Sequence, residues 1–201
     1  WGLPWEHAQK MRPWLQPFLY WLIARVLGVA GVRDIWTLTF AFRLVTGLAN
    51  VGALALFVKA TLPWCPTDEE KRLHLRVSTL AGFLPYLFVR TSSESGSMAA
   101  LTIAFAILLD GASALQRDDA KSKWTVPSLD RPLRLVFAGV LFGAAFEMRF
   151  QTALIAIGVV LWLAFIGRAR VAQLALVVAG GVLSLGLSAL VDRWGYGVWT
   201  F

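Results

Sequence analysis

Charge, cysteine and histidine are all scarce in this chain. Only 15% of its 201 residues are Asp, Glu, Lys or Arg, against about 25% in ordinary soluble domains, while 58% are apolar and the mean hydropathy is +0.65. That balance excludes a disordered chain, which needs low hydrophobicity and high charge, and points to a membrane protein. A single cysteine, Cys65, excludes a disulfide scaffold. His7 and His74 stand alone, with no Cys or second His at ligand spacing, so no metal and no metal cofactor is expected. Glycine-rich phosphate loops, GxSxG and CxxC are missing too, which leaves a nucleotide-sugar donor without a binding element. Asn50 is the only asparagine and lies in no Asn-x-Ser/Thr sequon, so bacterial and eukaryotic origins both stay open. The chain begins at Trp1 without a Met or a charged leader and stops at Phe201 in an aromatic stretch; it reads as a fragment.

What is present is apolar sequence in long runs, near 36–59, 74–89, 98–115, 134–147, 150–166 and 171–191. These predict an all-α, polytopic transmembrane helical bundle with about six crossings, residues 35–201 forming one transmembrane domain. The run 134–147 covers only roughly 21 Å at 1.5 Å per residue; it thins the bilayer, leans on neighbours, or makes a re-entrant unit with 150–166. Residues 1–34 form an external loop with an interfacial amphipathic helix at about 14–30, placing Trp14, Phe18, Trp21, Leu22 and Val26 towards lipid. Trp36, Trp64, Trp124, Trp194 and Trp199 lie near span ends, as headgroup-level anchors do. Gly139 with Gly143, and Gly180 with Ser184 and Ser188, have the four-residue spacing that lets helix backbones approach closely in lipid.

The excess of basic residues, +7 overall, sorts by loop and thus reads as topology, with no nucleic acid as partner. Eleven Lys and Arg fall in the loops 59–76, 116–134 and 167–170, which the positive-inside rule makes cytoplasmic, and seven fall on the other side. On that other, non-cytoplasmic side every loop carries both an acid and a base: Glu6 with Lys10 and Arg12, Asp34 with Arg33, Arg90 with Glu94, Glu147 with Arg149 and Gln151, Asp192 with Arg193. Either each pair is a local ion pair capping helix ends, or the loops converge on one polar pocket. Arg43, inside the first long run, has to snorkel or face a groove. A pocket of arginines and isolated carboxylates at a lipid surface suits a substrate that joins a phosphate to an apolar tail. Glycosyl transfer from a lipid phosphate needs that arrangement, with one carboxylate taking the acceptor proton and fixed cations stabilising the departing phosphate.

Four segments then resemble one family. Leu3-Pro4-Trp5-Glu6-His7 followed by Arg12, Pro13 and Pro17 is similar to the Trp-Glu-aromatic, Arg, Pro stretch in the first external loop of glycosyltransferase family 22, the mannosyltransferases of glycosylphosphatidylinositol and N-glycan assembly; His7 stands where that family has an aromatic. Arg90-Thr91-Ser92-Ser93-Glu94-Ser95 resembles its Arg-Thr, small polar, Glu segment; Phe146-Glu147-Met148-Arg149-Phe150-Gln151-Thr152-Ala153 its Arg segment; and Asp192-Arg193-Trp194-Gly195-Tyr196-Gly197-Val198-Trp199 its Asp, aromatic-Tyr-Gly, Trp element. The resemblance implies a GT-C fold in the bacterial inner membrane or the endoplasmic reticulum membrane. It also implies a polyprenyl or dolichyl phosphate mannose donor, a glycan or glycolipid acceptor, and inversion without a metal. It puts the principal base upstream of Trp1, leaving Glu6 as the local candidate and the fragment alone inactive. Arg149, Arg90 and Arg12 become candidates for the donor phosphate, and Glu94, Gln151, Asp192 and Tyr196 for substrate. The rival readings are a transporter or lipid flippase, with Arg43, Asn50 and the broken 134–166 region lining a path, or a non-catalytic membrane subunit.

Overall fold

The computed structural model describes residues 13–110 and 127–199, and every regular element among them is helical. The first helix, α1 (Leu15–Val29), stops where Gly31 takes a left-handed backbone (φ 85°) and the Val32 N–H returns to the Leu27 carbonyl at 3.0 Å. Asp34 starts α2 (Ile35–Thr61) by accepting from the Thr37 N–H at 2.8 Å and the Thr37 hydroxyl at 2.9 Å. Its 27 residues rise about 40 Å, and a 3-10 turn at Leu62–Trp64 extends it. Thr67 caps α3 (Asp68–Leu80), whose first turn carries Asp68, Glu69 and Glu70. Then come α4 (Leu84–Phe88), α5 (Ser93–Leu109), α6 (Pro132–Met148), α7 (Ala153–Phe165) and α8 (Val171–Tyr196), the last closed by Gly197 at φ 73°.

Among the described residues two helices, α2 with its extension and α8, are long and apolar enough to cross a membrane. The expectation of an all-helical chain holds for the described residues, and that of about six crossings is not confirmed. The helices α5 and α6 have 17 residues each, about 26 Å, and α7 has 13, against a hydrocarbon core of about 30 Å. The expected run 74–89 is no single helix either: it breaks between α3 and α4, with Ala81 extended. Pro85 lacks an N–H and its ring would clash with the Ala81 carbonyl in a continuous helix, so the chain turns there. The short run 134–147 lies within one complete helix, α6, packed between α5 and α8.

The helix directions follow from who touches whom. Asn50 of α2 meets Ser95 near the start of α5, and Ala60 lines a cavity with Ala106 near its end, so α2 and α5 run parallel. Gly139 meets Val177 and Gly180, and Gly143 meets Gly181 and Ser184, so α6 and α8 run parallel as well. Those glycines are required: a Cβ on Gly143 would stand 2.6 Å from the Ser184 Cβ and 2.8 Å from the Gly181 carbonyl oxygen. The starts of α5 and α7 and the ends of α6 and α8 therefore share one end of the bundle, here the first end. At the second end Arg134, opening α6, pairs with Asp110, which closes α5, at 2.5 Å.

Alanine is the commonest buried apolar residue, while many large apolar side chains lie on the outside. The core joins Ala104, Leu108, Leu135, Ala138, Phe142, Leu163 and Val177, while Phe40, Leu48, Leu133, Leu154, Phe165 and Val171 are exposed. This distribution suits helices whose outer faces meet lipid or further protein.

Candidate functional site

The first end of the bundle gathers the polar groups. Glu94 sits in the first turn of α5, and Arg149 follows α6 in extended conformation (φ −155°, ψ 102°) before a 3-10 turn at Phe150–Thr152. The Thr152 N–H and hydroxyl both donate to the Arg149 carbonyl, at 3.0 and 2.9 Å, which fixes this break. Gly96 lets the two segments close, since a Cβ there would stand 2.7 Å from the Met148 sulfur. The result is an ion pair between the Glu94 carboxylate and the Arg149 guanidinium, about half exposed. In water such a pair adds only about 0–1 kcal/mol to stability; its interest is that it joins two different loops.

None of the local acid and base pairs expected within single loops forms among the described residues. Asp34 caps α2 instead of pairing with Arg33, and the Thr37 backbone N–H, then its hydroxyl, hold the Asp34 carboxyl below the usual aspartate value. Arg90 lies 5.7 Å from the centre of the Tyr86 ring, leaving Glu94 to Arg149. Arg193 turns onto Trp199, 4.5 Å from the ring centre, while Asp192 is buried and accepts the Trp14 backbone N–H at 2.6 Å. Neighbouring residues on a helix end point apart, so sequence adjacency gave the wrong partners.

Glu147, Ser188 and Asp192 share one buried space between α6 and α8. Sequence alone points to Glu147 only as a loop neighbour of Arg149 and to Ser188 only as part of a packing ridge, although the signal for their meeting is present. The ridge Gly139, Gly143 continues by four to Glu147, and the ridge Gly180, Ser184, Ser188 continues by four to Asp192. Two packed small-residue ridges thus each end on a carboxylate.

The N-terminal helix also differs from expectation. Trp14, Phe18 and Trp21 turn towards α8, with Trp14 6.0 Å from Trp194 and 5.9 Å from Tyr196, Phe18 5.4 Å from Trp194 and Trp21 4.8 Å from Trp194. Only Leu22 and Val26 of the expected lipid face are free of such ring contacts and exposed. The cause is Gly195, whose missing side chain leaves room for the Trp14 indole. Gln16 then donates to the Thr91 carbonyl at 3.2 Å, next to Arg90.

Of the other site candidates, Gln151 is exposed in the 3-10 turn and Tyr196 is half-buried beside Trp14. Glu6 and Arg12 lie outside the described residues. Asn50, a possible path residue for a transporter, is committed to the Thr46 carbonyl at 2.9 Å and the Ser95 hydroxyl at 3.1 Å. Arg43 is exposed on α2. No group of three His, Cys, Asp or Glu side chains able to hold a metal occurs among the described residues. An apolar groove of about 450 Å³ runs between α6, α7 and α8, with Phe146 and Ala153, on either side of Arg149 in the chain, among its lining.

The profile of the Alg9-like mannosyltransferase family matches residues 2–201. No curated protein and no solved structure matches the chain.

Proposed function

The chain belongs to the Alg9-like mannosyltransferase family, a glycosyltransferase family, and from that premise we propose that it forms part of an inverting, multi-pass membrane enzyme. This enzyme moves mannose from a polyprenyl or dolichyl phosphate donor to a glycan or glycolipid acceptor on the non-cytoplasmic face. The observation that carries the reading is the Glu94–Arg149 pair, which brings an acid and a cation from separate loops to one end of the bundle. Arg149 keeps guanidinium N–H groups beyond the one that meets Glu94, and such a fork pairs bidentately with a phosphate as well as with a carboxylate.

In the reaction the acceptor hydroxyl oxygen bonds to the anomeric carbon as the bond from that carbon to the phosphate oxygen breaks. The electron pair leaves on the lipid phosphate, where Arg149, with Arg90 and Arg12 as further cations, stabilises it. The acceptor proton passes to a carboxylate within about 2.6–3.2 Å in a productive pose; the family resemblance puts that base before Trp1, with Glu6 as the local alternative. Glu94, Gln151 and Tyr196 are left to orient sugar or to hold the cations; Asp192 is set apart from them by its burial against the Trp14 N–H. The apolar groove beside Phe146 supports a donor whose tail stays in an apolar phase.

The test uses the full-length protein in lipid nanodiscs, a short-chain polyprenyl phosphate mannose and methyl α-mannoside as acceptor. Mannose transfer is expected, and its absence in the folded wild type overturns the reading. The face is tested separately in intact cells: with Cys65 replaced, an impermeant maleimide is expected to label a cysteine placed at 93 and not one placed at 121.

A further inference from the structure

Asp192 stands out because it is buried at 2% exposure beside a second carboxylate, Glu147, and no cation among the described residues pairs with it. Its neighbour Arg193 is turned away onto Trp199. What faces its oxygen is a backbone N–H, that of Trp14, at 2.6 Å. Three further observations meet at the same place. The Trp14 indole occupies the space a side chain at Gly195 would need. Trp194 and Tyr196 meet that indole edge-on at 6.0 and 5.9 Å. Two residues further on, Gln16 donates to the Thr91 carbonyl, and Thr91 precedes Glu94 by three residues.

We propose that Asp192 is a positioning residue, whose carboxylate oxygen anchors α1 on the end of α8 through the Trp14 N–H so that Gln16 holds the Arg90–Glu94 segment in place for the Glu94–Arg149 pair. The work is that of a hydrogen-bond acceptor and needs no charge. Gly195 belongs to the same device, because only a residue without a side chain leaves the indole its seat. The inference rests on the functional reading above for its activity arm only.

The experiment uses full-length protein in nanodiscs with Cys65→Ser and nitroxides at two exposed positions, Leu22 on α1 and Leu190 on α8. Their separation distribution is measured in wild type, Asp192→Asn, Asp192→Ala and Gly195→Ala, alongside transfer from the short-chain mannosyl phosphate donor. Asn supplies an acceptor oxygen, so Asp192→Asn is expected to keep the narrow wild-type distribution and turnover within about 3-fold. Asp192→Ala and Gly195→Ala are expected to broaden the distribution and lower kcat by ~10-fold or more, with a donor KM changed less than about 3-fold, as misplacement by about an ångström does. Two outcomes overturn the proposal. One is a wild-type distribution in both Asp192→Ala and Gly195→Ala. The other is an Asp192→Asn protein that stays docked yet loses as much transfer as Asp192→Ala, which makes the charge itself act on substrate. If the wild type transfers no mannose, the functional reading fails and the distance measurement alone decides the positioning role.

Discussion

The two ends of the helical bundle use their charges differently. At the second end, pairing is local or confined to neighbouring helix termini: Lys71 meets Asp68 one turn away at 3.0 Å, and Arg134 meets Asp110 where α5 closes and α6 opens. At the first end, Glu94 and Asp192 leave the base beside them and find partners elsewhere: Glu94 takes Arg149, and Asp192 takes the Trp14 N–H. Local pairing is what solvated loops need and carries no geometric information. Pairing across loops fixes where the loops stand relative to one another, and a site requires that.

The largest effect that sharpens this contrast is expected at the seam leading to the first end. Gly143→Leu forces α6 away from α8, where the neighbours are the Ser184 side chain and the Gly181 carbonyl, and should destabilise by about 3 kcal/mol or more. Gly158→Leu, with open space around its backbone, should leave the thermal midpoint within a degree or two. A like fall in both would dissolve the distinction between seam and surface.

Next in size is the exchange of the two arginines. Arg149→Lys keeps the charge and loses the fork, so mannosyl transfer should fall about 10- to 100-fold at equal expression. Arg134→Lys should change it less than about 2-fold, because that pair only closes two helix ends. Equal losses would remove Arg149 from the site. Glu94→Gln divides the roles of the pair: a merely structural carboxylate gives lower yield with normal turnover per molecule, a site carboxylate the reverse.

The smallest effect concerns Asp34, a charge at the start of α2 that serves only its own helix. Its carboxyl is held low in the folded chain, so its contribution is present above the usual aspartate value of about 3.9 and fades as pH falls through the lower folded value. Asp34→Ala should therefore lower the thermal midpoint slightly at pH 7, and the gap from wild type should narrow as the medium is acidified past the usual aspartate range. A gap that widens on acidification would contradict the capping role.

Much of the helical layout is legible in the sequence because its causes are local. Apolar runs mark α2 and α8, Pro132 opens α6, Asp34 and Thr67 cap, and Gly197 ends α8. The break at Pro85 is equally local, but the hydropathy of 74–89 masks it. The two ridges ending in Glu147 and Asp192 were half legible: the four-residue spacing was visible, but whether its last step is buried depends on the helix that packs against it.

By itself, then, the sequence determined an all-helical chain with an apolar exterior, its family, and the side-chain types that collect in four motif segments. Those properties depend on composition, on spacing of three to four residues, and on turn-forming Pro and Gly. Only the tertiary structure decided that Arg149 meets Glu94 and that Asp192 meets Trp14. The reason is physical: a helix end directs successive side chains about 100° apart, so the partner of each charge is set by which other helix end packs beside it.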